Sequence, residues 1–130
     1  MRHNHKQTIK LNTWVKKKSV FKREMLTNLI KSGKVVTTPK RAKVLKADAD
    51  AFFSHLIDLS TRYKDKKDGR REAIAYTKSL IFGKEQGKKV MDVYLPKYLE
   101  DYKKWASFVE NYKLGWRKGD AVEKIMIKLK

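Results

Sequence analysis

The stretch TTPKRAKVLKADADAFFSHLI, Thr37 to Ile57, begins as a basic run and ends as an amphipathic helix. Thr38 followed by Pro39 predicts a helix start, because threonine can cap the first turn and proline at the first helical position loses no N–H that the helix needs. Apolar residues then recur at steps of three and four, at Ala42, Leu45, Ala49, Phe52 and Leu56. They share one face, which must pack against the rest of the chain.

Four cations occupy the beginning of this predicted helix: Lys40, Arg41, Lys43 and Lys46. Positive side chains in the first turn are unfavourable by ~0.3–1 kcal/mol each at an exposed end, because they oppose the helix dipole. A phosphate group at that end would be attracted by both the free backbone amides and the side chains. The stretch therefore predicts an anionic partner there. We expect Thr37 and Thr38 to cap the helix first and to contact phosphate second.

The charge of the whole chain points to the same kind of partner. The 130 residues suit a single domain, and 33 Lys and Arg against 14 Asp and Glu give a net charge of +19. Residues 1–46 hold 14 of the basic side chains and one acid, Glu24, while the remaining 84 residues hold 19 basic and 13 acidic ones. Such an excess draws a chain toward polyanions.

Several classes of protein are disfavoured by what the sequence lacks. There is no cysteine, which excludes disulfides and thiolate chemistry, and no apolar run approaches the ~18 residues of a membrane span. Glycine-rich phosphate loops, zinc-protease helices and nucleophile elbows are missing, so we expect no enzyme, no cofactor and no small-molecule substrate. His3 and His5 lack further ligands for a metal. The N-terminus has no signal-peptide core, and a cytoplasmic location is expected.

Residues 1–18 have no helical period and are predicted to form an extended basic arm that tracks an RNA backbone, where each neutralised phosphate releases counterions. Trp14 could stack on a base or pack back on the domain, and the sequence leaves both open. The RNA-binding candidates in the arm are Arg2, His3, Lys6, Lys10, Asn12, Trp14, Lys16, Lys17 and Lys18. A second set, with almost no acidic partners nearby in sequence, is Lys22, Arg23, Lys40, Arg41, Lys43 and Lys46.

The remaining residues, 19–130, are predicted to form one globular domain. A helix capped by Ser19 should end at Gly33, because glycine readily adopts the left-handed conformation that terminates helices. KVVTT, residues 34–38, is a candidate strand, and RYKDKKDGRR, residues 62–71, is expected to be a linker. Residues 70–82 predict a third helix, which FGKEQG, residues 82–87, should break.

The last third of the chain predicts a bent helix and a hairpin. Apolar and aromatic spacing from Met91 to Tyr102 favours a fourth helix, in which Pro96 should cause a kink or mark the true start. From Ala106 the apolar period becomes two, and RKGD, residues 117–120, is typical of a turn. We therefore expect a C-terminal antiparallel hairpin with one buried and one lysine-rich face. The fold class is α+β, with helices packed on a small sheet.

Two further hairpin expectations concern individual residues. Trp105 and Trp116 should pack in the core or along the sheet edge, because large aromatic side chains usually bury most of their surface. Arg117 and Lys118 lie at the turn, where their side chains could reach a phosphate.

Several short motifs occur in a characteristic order along the chain. MRH opens the chain, LN stands at Leu11 and Asn12, TT at Thr37 and Thr38, and KLGWRKGDA leads into an alternating strand. This order resembles the family of bacterial ribosomal protein L17. The resemblance implies helices around a small sheet, with a basic arm reaching into large-subunit rRNA near the peptide exit side. It further implies neighbouring large-subunit proteins as partners. The matching positions are Arg2, His3, Leu11, Asn12, Thr37, Thr38, Lys43, Arg117, Gly119 and Asp120.

Two other functions are compatible with a strongly basic composition. A nucleoid-type protein would bind duplex DNA about as well as rRNA. A membrane-surface or toxin-like protein would need an amphipathic helix with a wide apolar face left free. The predicted helices here require one another for burial, which disfavours the membrane-surface alternative.

Overall fold

The structure is a computed structural model that describes residue 11 and residues 15–101 and 107–130. At residues 15 and 16 it describes the backbone but not the side chains. Within these ranges the chain forms four helical segments and three strands, and the predicted α+β class is confirmed. The first elements are α1 (Val15–Ser32), β1 (Lys34–Thr37), α2 (Pro39–Arg62) and α3 (Lys66–Leu80). The fourth helical segment consists of α4 (Lys84–Lys89), a π-helical turn (Val90–Tyr94) and α5 (Leu95–Asp101). The chain ends with β2 (Val109–Trp116) and β3 (Glu123–Leu129).

The core is built around α2, whose predicted apolar face is confirmed. Ala42, Leu45, Ala49, Phe52 and Leu56 are all buried. Phe53, on the same helix, is fully buried and is surrounded by aromatic rings, with centroids 4.9 Å away in Tyr98 and 5.6 Å away in Phe108. Aromatic pairs at such distances stabilise a core beyond the area they bury.

The three strands form an antiparallel sheet in the order β1-β3-β2. Side chains alternate between its faces, so the row through Val35 and Ile127 points toward the helices, and Ile127 is fully buried. The opposite face carries Lys34 paired with Lys128 and Val36 paired with Met126. The hairpin therefore has the predicted buried and lysine-rich faces along β3.

The outer half of β2 differs from the prediction. A register shift between Lys113 and Gly115 makes Leu114 the extra residue of a β-bulge, and Gly115 has a φ of 101°. Such a bulge reverses the side-chain alternation beyond it. Tyr112 and Leu114 are exposed, and Trp116 is 70% exposed. The expected packing of Trp116 was wrong, whereas Trp105 lies outside the described residues.

The first helix begins earlier than expected. Val15–Ser32 is helical, so residues 15–18 are not extended and Ser19 lies inside the helix instead of capping it. Lysine is a good helix former, which lets the KKK run join the helix despite its charge. Leu11 is buried, which places this point of the arm against the domain. Gly33 ends α1 with a φ of 75°, as predicted.

The segment expected to be a linker is mostly helical. Asp65 caps α3, because its carboxylate accepts a hydrogen bond from the backbone N–H of Lys67 at 3.0 Å. Gly69 is buried inside α3, and a Cβ there would lie 3.1 Å from the carbonyl oxygen of Ser60. The glycine therefore serves close packing of α3 on α2, where the sequence suggested chain flexibility.

The fourth helical segment has a π-helical turn ahead of Pro96, which lies inside the segment and does not mark its start. The N–H of Leu95 bonds to the carbonyl of Val90, five residues earlier, which defines the π-helical turn. Pro96 follows as the second residue of α5. A proline ring presses on the carbonyl four residues before it, and the wider turn gives that ring room. Met91, Tyr94, Leu95 and Tyr98 are buried along this segment.

Candidate nucleic-acid interface

The start of α2 and the tip of the hairpin meet around one surface groove of about 200 Å³. Two parts of the chain that are some eighty positions apart in sequence contribute its walls. The side chains that bring positive charge to it are Arg41 from α2, Arg117 from the turn and Lys124 from β3. Thr37 and Thr38 also line the groove. Four of the predicted RNA-binding residues are thus brought together.

Thr38 and Arg41, at the start of α2, both line this groove. Thr38 has the extended conformation of a cap, with φ −77° and ψ 159°, and Pro39 follows at the first helical position, as predicted. The Thr38 hydroxyl makes no capping hydrogen bond to a described residue, so its predicted side-chain capping was wrong. The first amides of a helix otherwise need partners. The backbone amides of Lys40 and Arg41 lack the hydrogen-bond acceptor that the Thr38 hydroxyl was expected to supply.

The cations of the first turns of α2 are directed away from the core. Lys40, Arg41 and Lys43 are exposed, and Lys46 is half-buried. None of the four forms an ion pair with a described residue. The guanidinium carbon of Arg41 lies 5.1 Å from the ring centroid of Phe21 on α1, a cation–π contact that leaves its hydrogen-bond donors available.

The hairpin side of the groove is braced by its own ion pair. Arg117 Nε donates to Asp120 Oδ1 at 2.8 Å, and a second guanidinium nitrogen bonds to Asp120 Oδ2. This hydrogen bonding lowers the pKa of Asp120 to about 2 and raises the pKa of Arg117. Arg117 therefore holds the turn and lines the groove at once, while Lys118 beside it is exposed.

Lys22 and Arg23 lie on a different surface, between α1, α2 and α3, and are already engaged. Lys22 Nζ is 3.7 Å from Asp48 Oδ1. The guanidinium carbon of Arg23 stands 4.0 Å from the ring centroid of Phe82. The acidic partner that Lys22 lacks nearby in sequence comes from the third turn of α2. The structure therefore does not bring these two residues to the groove.

The arm residues divide by position. Arg2, His3, Lys6, Lys10, Asn12 and Trp14 lie outside the described residues, as does the side chain of Lys16. Lys17 is exposed and Lys18 is half-buried in the first turn of α1. Their role in RNA binding stays a prediction.

Sequence reasoning missed four groove residues, Val36, Val122, Glu123 and Lys124. The Glu123 carboxylate lies 3.7 Å from Lys113 Nζ, which offsets its negative charge. Lys124 had a detectable pattern, because it alternates with Ile125 and Ile127 and so had to lie on the lysine-rich face. Its proximity to α2 depends on β3 pairing with β1, where Ile125 faces Thr37. No local pattern in the sequence specifies that pairing.

Fold and groove define a small, basic α+β protein in which Arg41, Arg117 and Lys124 line a groove where a helix start meets a hairpin. The family model for ribosomal protein L17 matches residues 21–130. The chain belongs to that family. It is 32% identical over 107 residues to the large ribosomal subunit protein bL17 of Clostridium tetani, covering 82% of this chain and 83% of that protein. The bL17 protein of Halothermothrix orenii is 31% identical over 117 residues, covering 90% of each chain.

The family assignment confirms the resemblance seen in the sequence motifs. It is a family of ribosomal proteins, which are structural in kind, in agreement with the expectation that the chain is not an enzyme. Among the described residues, no helix has both the length and the apolar character needed to cross a membrane.

Proposed function

We propose that the chain is a structural component of the bacterial large ribosomal subunit and binds its rRNA through the groove between α2 and the hairpin. The observation that carries the proposal is that Arg41, Arg117 and Lys124 line one groove together with Thr38, the residue before the first turn of α2. Both the amides and the side chains favour a phosphate. Names of the relatives place bL17 proteins in the large subunit, which supports the same conclusion.

Charge balance supports RNA as the ligand. The cations at the start of α2 have no acidic partner among the described residues, although they reduce helix stability at that end. An RNA backbone supplies the missing negative charge, and the released counterions favour binding. The arm, residues 1–18, extends the same charged surface along the RNA, and neighbouring ribosomal proteins complete the surroundings of the chain in the particle.

The experiment compares two double variants that remove equal charge. Lys40→Ala with Arg41→Ala removes two cations at the start of α2, of which Arg41 lines the groove. Lys66→Ala with Lys67→Ala removes two cations at the exposed start of α3. Binding to a transcript of the large-subunit rRNA is measured across a salt series. The groove variant should reduce the slope of log affinity against log salt by about 2, one unit for each lost phosphate contact. The α3 variant should leave the slope near that of the wild type.

Two results would overturn the proposal. Equal losses in both double variants would mean that diffuse charge, and not the groove, binds the RNA. Equal affinity for duplex DNA and rRNA, together with absence of the protein from large-subunit fractions of a low-salt lysate, would favour the nucleoid-type alternative.

A further inference from the structure

A second cavity, of about 270 Å³, lies between α1, α2 and α3 on the surface that holds Lys22 and Arg23. Leu26, Phe52 and Leu80 give it apolar walls. Tyr76 also lines it, and its ring is stacked on Phe52 at a centroid distance of 5.6 Å. The volume is near the lower limit of the ~300–1,000 Å³ typical of small-molecule sites, so the cavity suits a single ring system.

A donor and an acceptor stand side by side at this cavity. Lys22 Nζ and Asp48 Oδ1 are 3.7 Å apart, and both side chains remain about one-third exposed, at 39% and 31%. Burial raises the pKa of Asp48, and the charge of Lys22 opposes that rise. The pair is too far apart for a strong hydrogen bond. Both groups therefore retain capacity for a ligand.

Arg23 lines the same wall. Its Nε is buried and has no hydrogen-bond partner among the described residues, and its guanidinium carbon lies 4.0 Å from the ring centroid of Phe82. Two cations against one carboxylate also give the cavity a net positive charge, which favours a ligand carried on a phosphate backbone.

We propose that this cavity binds one unstacked guanine base of RNA. The Watson–Crick edge of guanine presents the N1–H and N2–H donors next to the O6 acceptor. Asp48 can accept from the two donors while Lys22 donates to O6, and Arg23 can donate to a further acceptor of the nucleotide. Recognition of unpaired RNA bases commonly combines such edge contacts with stacking on aromatic or arginine planes, which Tyr76 and Arg23 provide.

The other bases fit this pair less well. Adenine and uracil each offer a carboxylate a single edge donor, and cytosine offers one exocyclic amine, whereas guanine offers two adjacent donors to the two oxygens of Asp48. A good bidentate contact discriminates between bases by roughly 5- to 150-fold in affinity. The inference rests on the proposed function only in taking RNA as the partner, because the cavity shares no residue with the groove.

The test uses the full chain and two fluorescein-labelled RNA hexamers, UUUGUU and UUUUUU, with binding followed by fluorescence polarisation. Wild-type protein should bind the guanosine hexamer ~10-fold more tightly, within the range of one bidentate base contact. Asp48→Asn should abolish that preference. Asp58→Asn, on the same helix and outside the cavity, should retain it. Tyr76→Ala should weaken binding of the guanosine hexamer ~10-fold through lost stacking.

A third hexamer, UUUIUU, keeps the test independent of folding in the variants. Inosine lacks the 2-amino group, so wild-type protein should bind this hexamer with an affinity between the other two. Equal affinity for all three hexamers, or equal loss of preference in the Asp48 and Asp58 variants, would overturn the inference. An aromatic peptide that displaces UUUGUU and binds more tightly would assign the cavity to a protein partner and would also overturn it.

The groove variants separate this inference from the proposed function. Lys40→Ala with Arg41→Ala should weaken both hexamers by the same factor and leave their ratio unchanged. If wild-type protein binds UUUGUU and UUUUUU equally but the groove variant weakens rRNA binding as expected, only the guanine site is rejected. If wild-type protein prefers UUUGUU but the groove variant leaves rRNA binding unchanged, only the groove is rejected.

Discussion

The two halves of α2 use charge in opposite ways. In its first turns Lys40, Lys43 and Lys46 have no ion pair with a described residue. In its later turns the carboxylates all have partners within the fold. Asp48 lies beside Lys22, Asp50 accepts hydrogen bonds from residues 107 and 108, and Asp58 bonds to Arg62 at 2.6 Å.

This difference separates residues that hold the fold from residues that we propose to bind a partner. Charges that stabilise a folded chain are satisfied within it. A row of cations at the wrong end of the helix dipole weakens the free protein and is favourable only when an anion binds. The two halves should therefore respond to substitution with opposite signs, and the predictions below run from the largest expected effect to the smallest.

Removal of Phe53 should give the largest effect, because it lies at the centre of the aromatic cluster on the second half of α2. Phe53→Ala should lower the free energy of unfolding by ~3–5 kcal/mol through lost burial and the cavity left behind. Urea denaturation measures the change. The control, Ser54→Ala, alters an exposed neighbour and should stay within ~0.5 kcal/mol of wild type. Similar values for both variants would contradict the described core.

Asp50 should be the most important charged residue of α2 for stability. Its Oδ1 accepts the backbone N–H of Phe108 at 2.9 Å, and both of its carboxylate oxygens lie within 3.1 Å of the Ser107 hydroxyl oxygen. Asp50→Ala should cost ~1.5–3 kcal/mol, the range for hydrogen bonds to a charged group. Asp58→Ala breaks only an exposed ion pair and should cost under ~1 kcal/mol. The reverse order, in the same denaturation assay, would show that the strand start is held by other contacts.

The first half of α2 should behave in the opposite sense. Lys40→Ala with Lys43→Ala should raise the free energy of unfolding at low salt, by up to ~0.3–1 kcal/mol for each residue that opposes the dipole. The thermal midpoint should rise with it. Lys78→Ala provides the matched control, because Lys78 lies in the last turn of α3, where a cation is favourable. Each substitution replaces lysine by alanine in a helix, so the change in helix propensity is the same at every position. The difference in unfolding free energy per substitution therefore reports the interaction with the helix dipole. A loss of stability in the double variant would remove the contrast between the two halves.

The smallest expected effect concerns the turn. Arg117→Ala should return the pKa of Asp120 from about 2 toward its ordinary value of 3.8, because the guanidinium hydrogen bonds are lost. The native pKa is below the unfolded one, so the pair contributes stability above about pH 3.8, and that contribution is lost as the pH falls through about 2. Carboxyl ¹³C NMR titration measures the shift. Lys118→Ala should leave the pKa of Asp120 at about 2. An equal rise in the Lys118 variant would mean that nearby positive charge in general, and not the Arg117 hydrogen bonds, lowers this pKa.

Sequence periodicity was sufficient for the helices because their apolar faces repeat over several turns. The buried face of α2, the start at Thr38 and Pro39, and the end of α1 at Gly33 all follow from local chemistry. The early start of α1 was missed because consecutive lysines suggested an extended conformation, although lysine favours helices. Asp65 capping α3 could have been found from its position before a helix-forming run.

Other features depend on contacts between distant residues and have no local pattern. The bulge at Leu114 shifts β2 by one residue against β3, and no local pattern in the sequence specifies that shift. Likewise, the groove forms because β3 pairs with β1 beside the start of α2. Its residues from α2 and the turn were predicted individually, but their meeting in space required the structure.

The bulge at Leu114 also affects how the protein behaves before it meets a partner. β2 is an edge strand of eight residues, and its outer backbone groups could template pairing with a second molecule. The bulge twists that edge, and the exposed lysine at position 113 places a charge on it. Both features discourage self-association through β-strands, so a newly synthesised chain can remain monomeric at the concentrations that precede assembly.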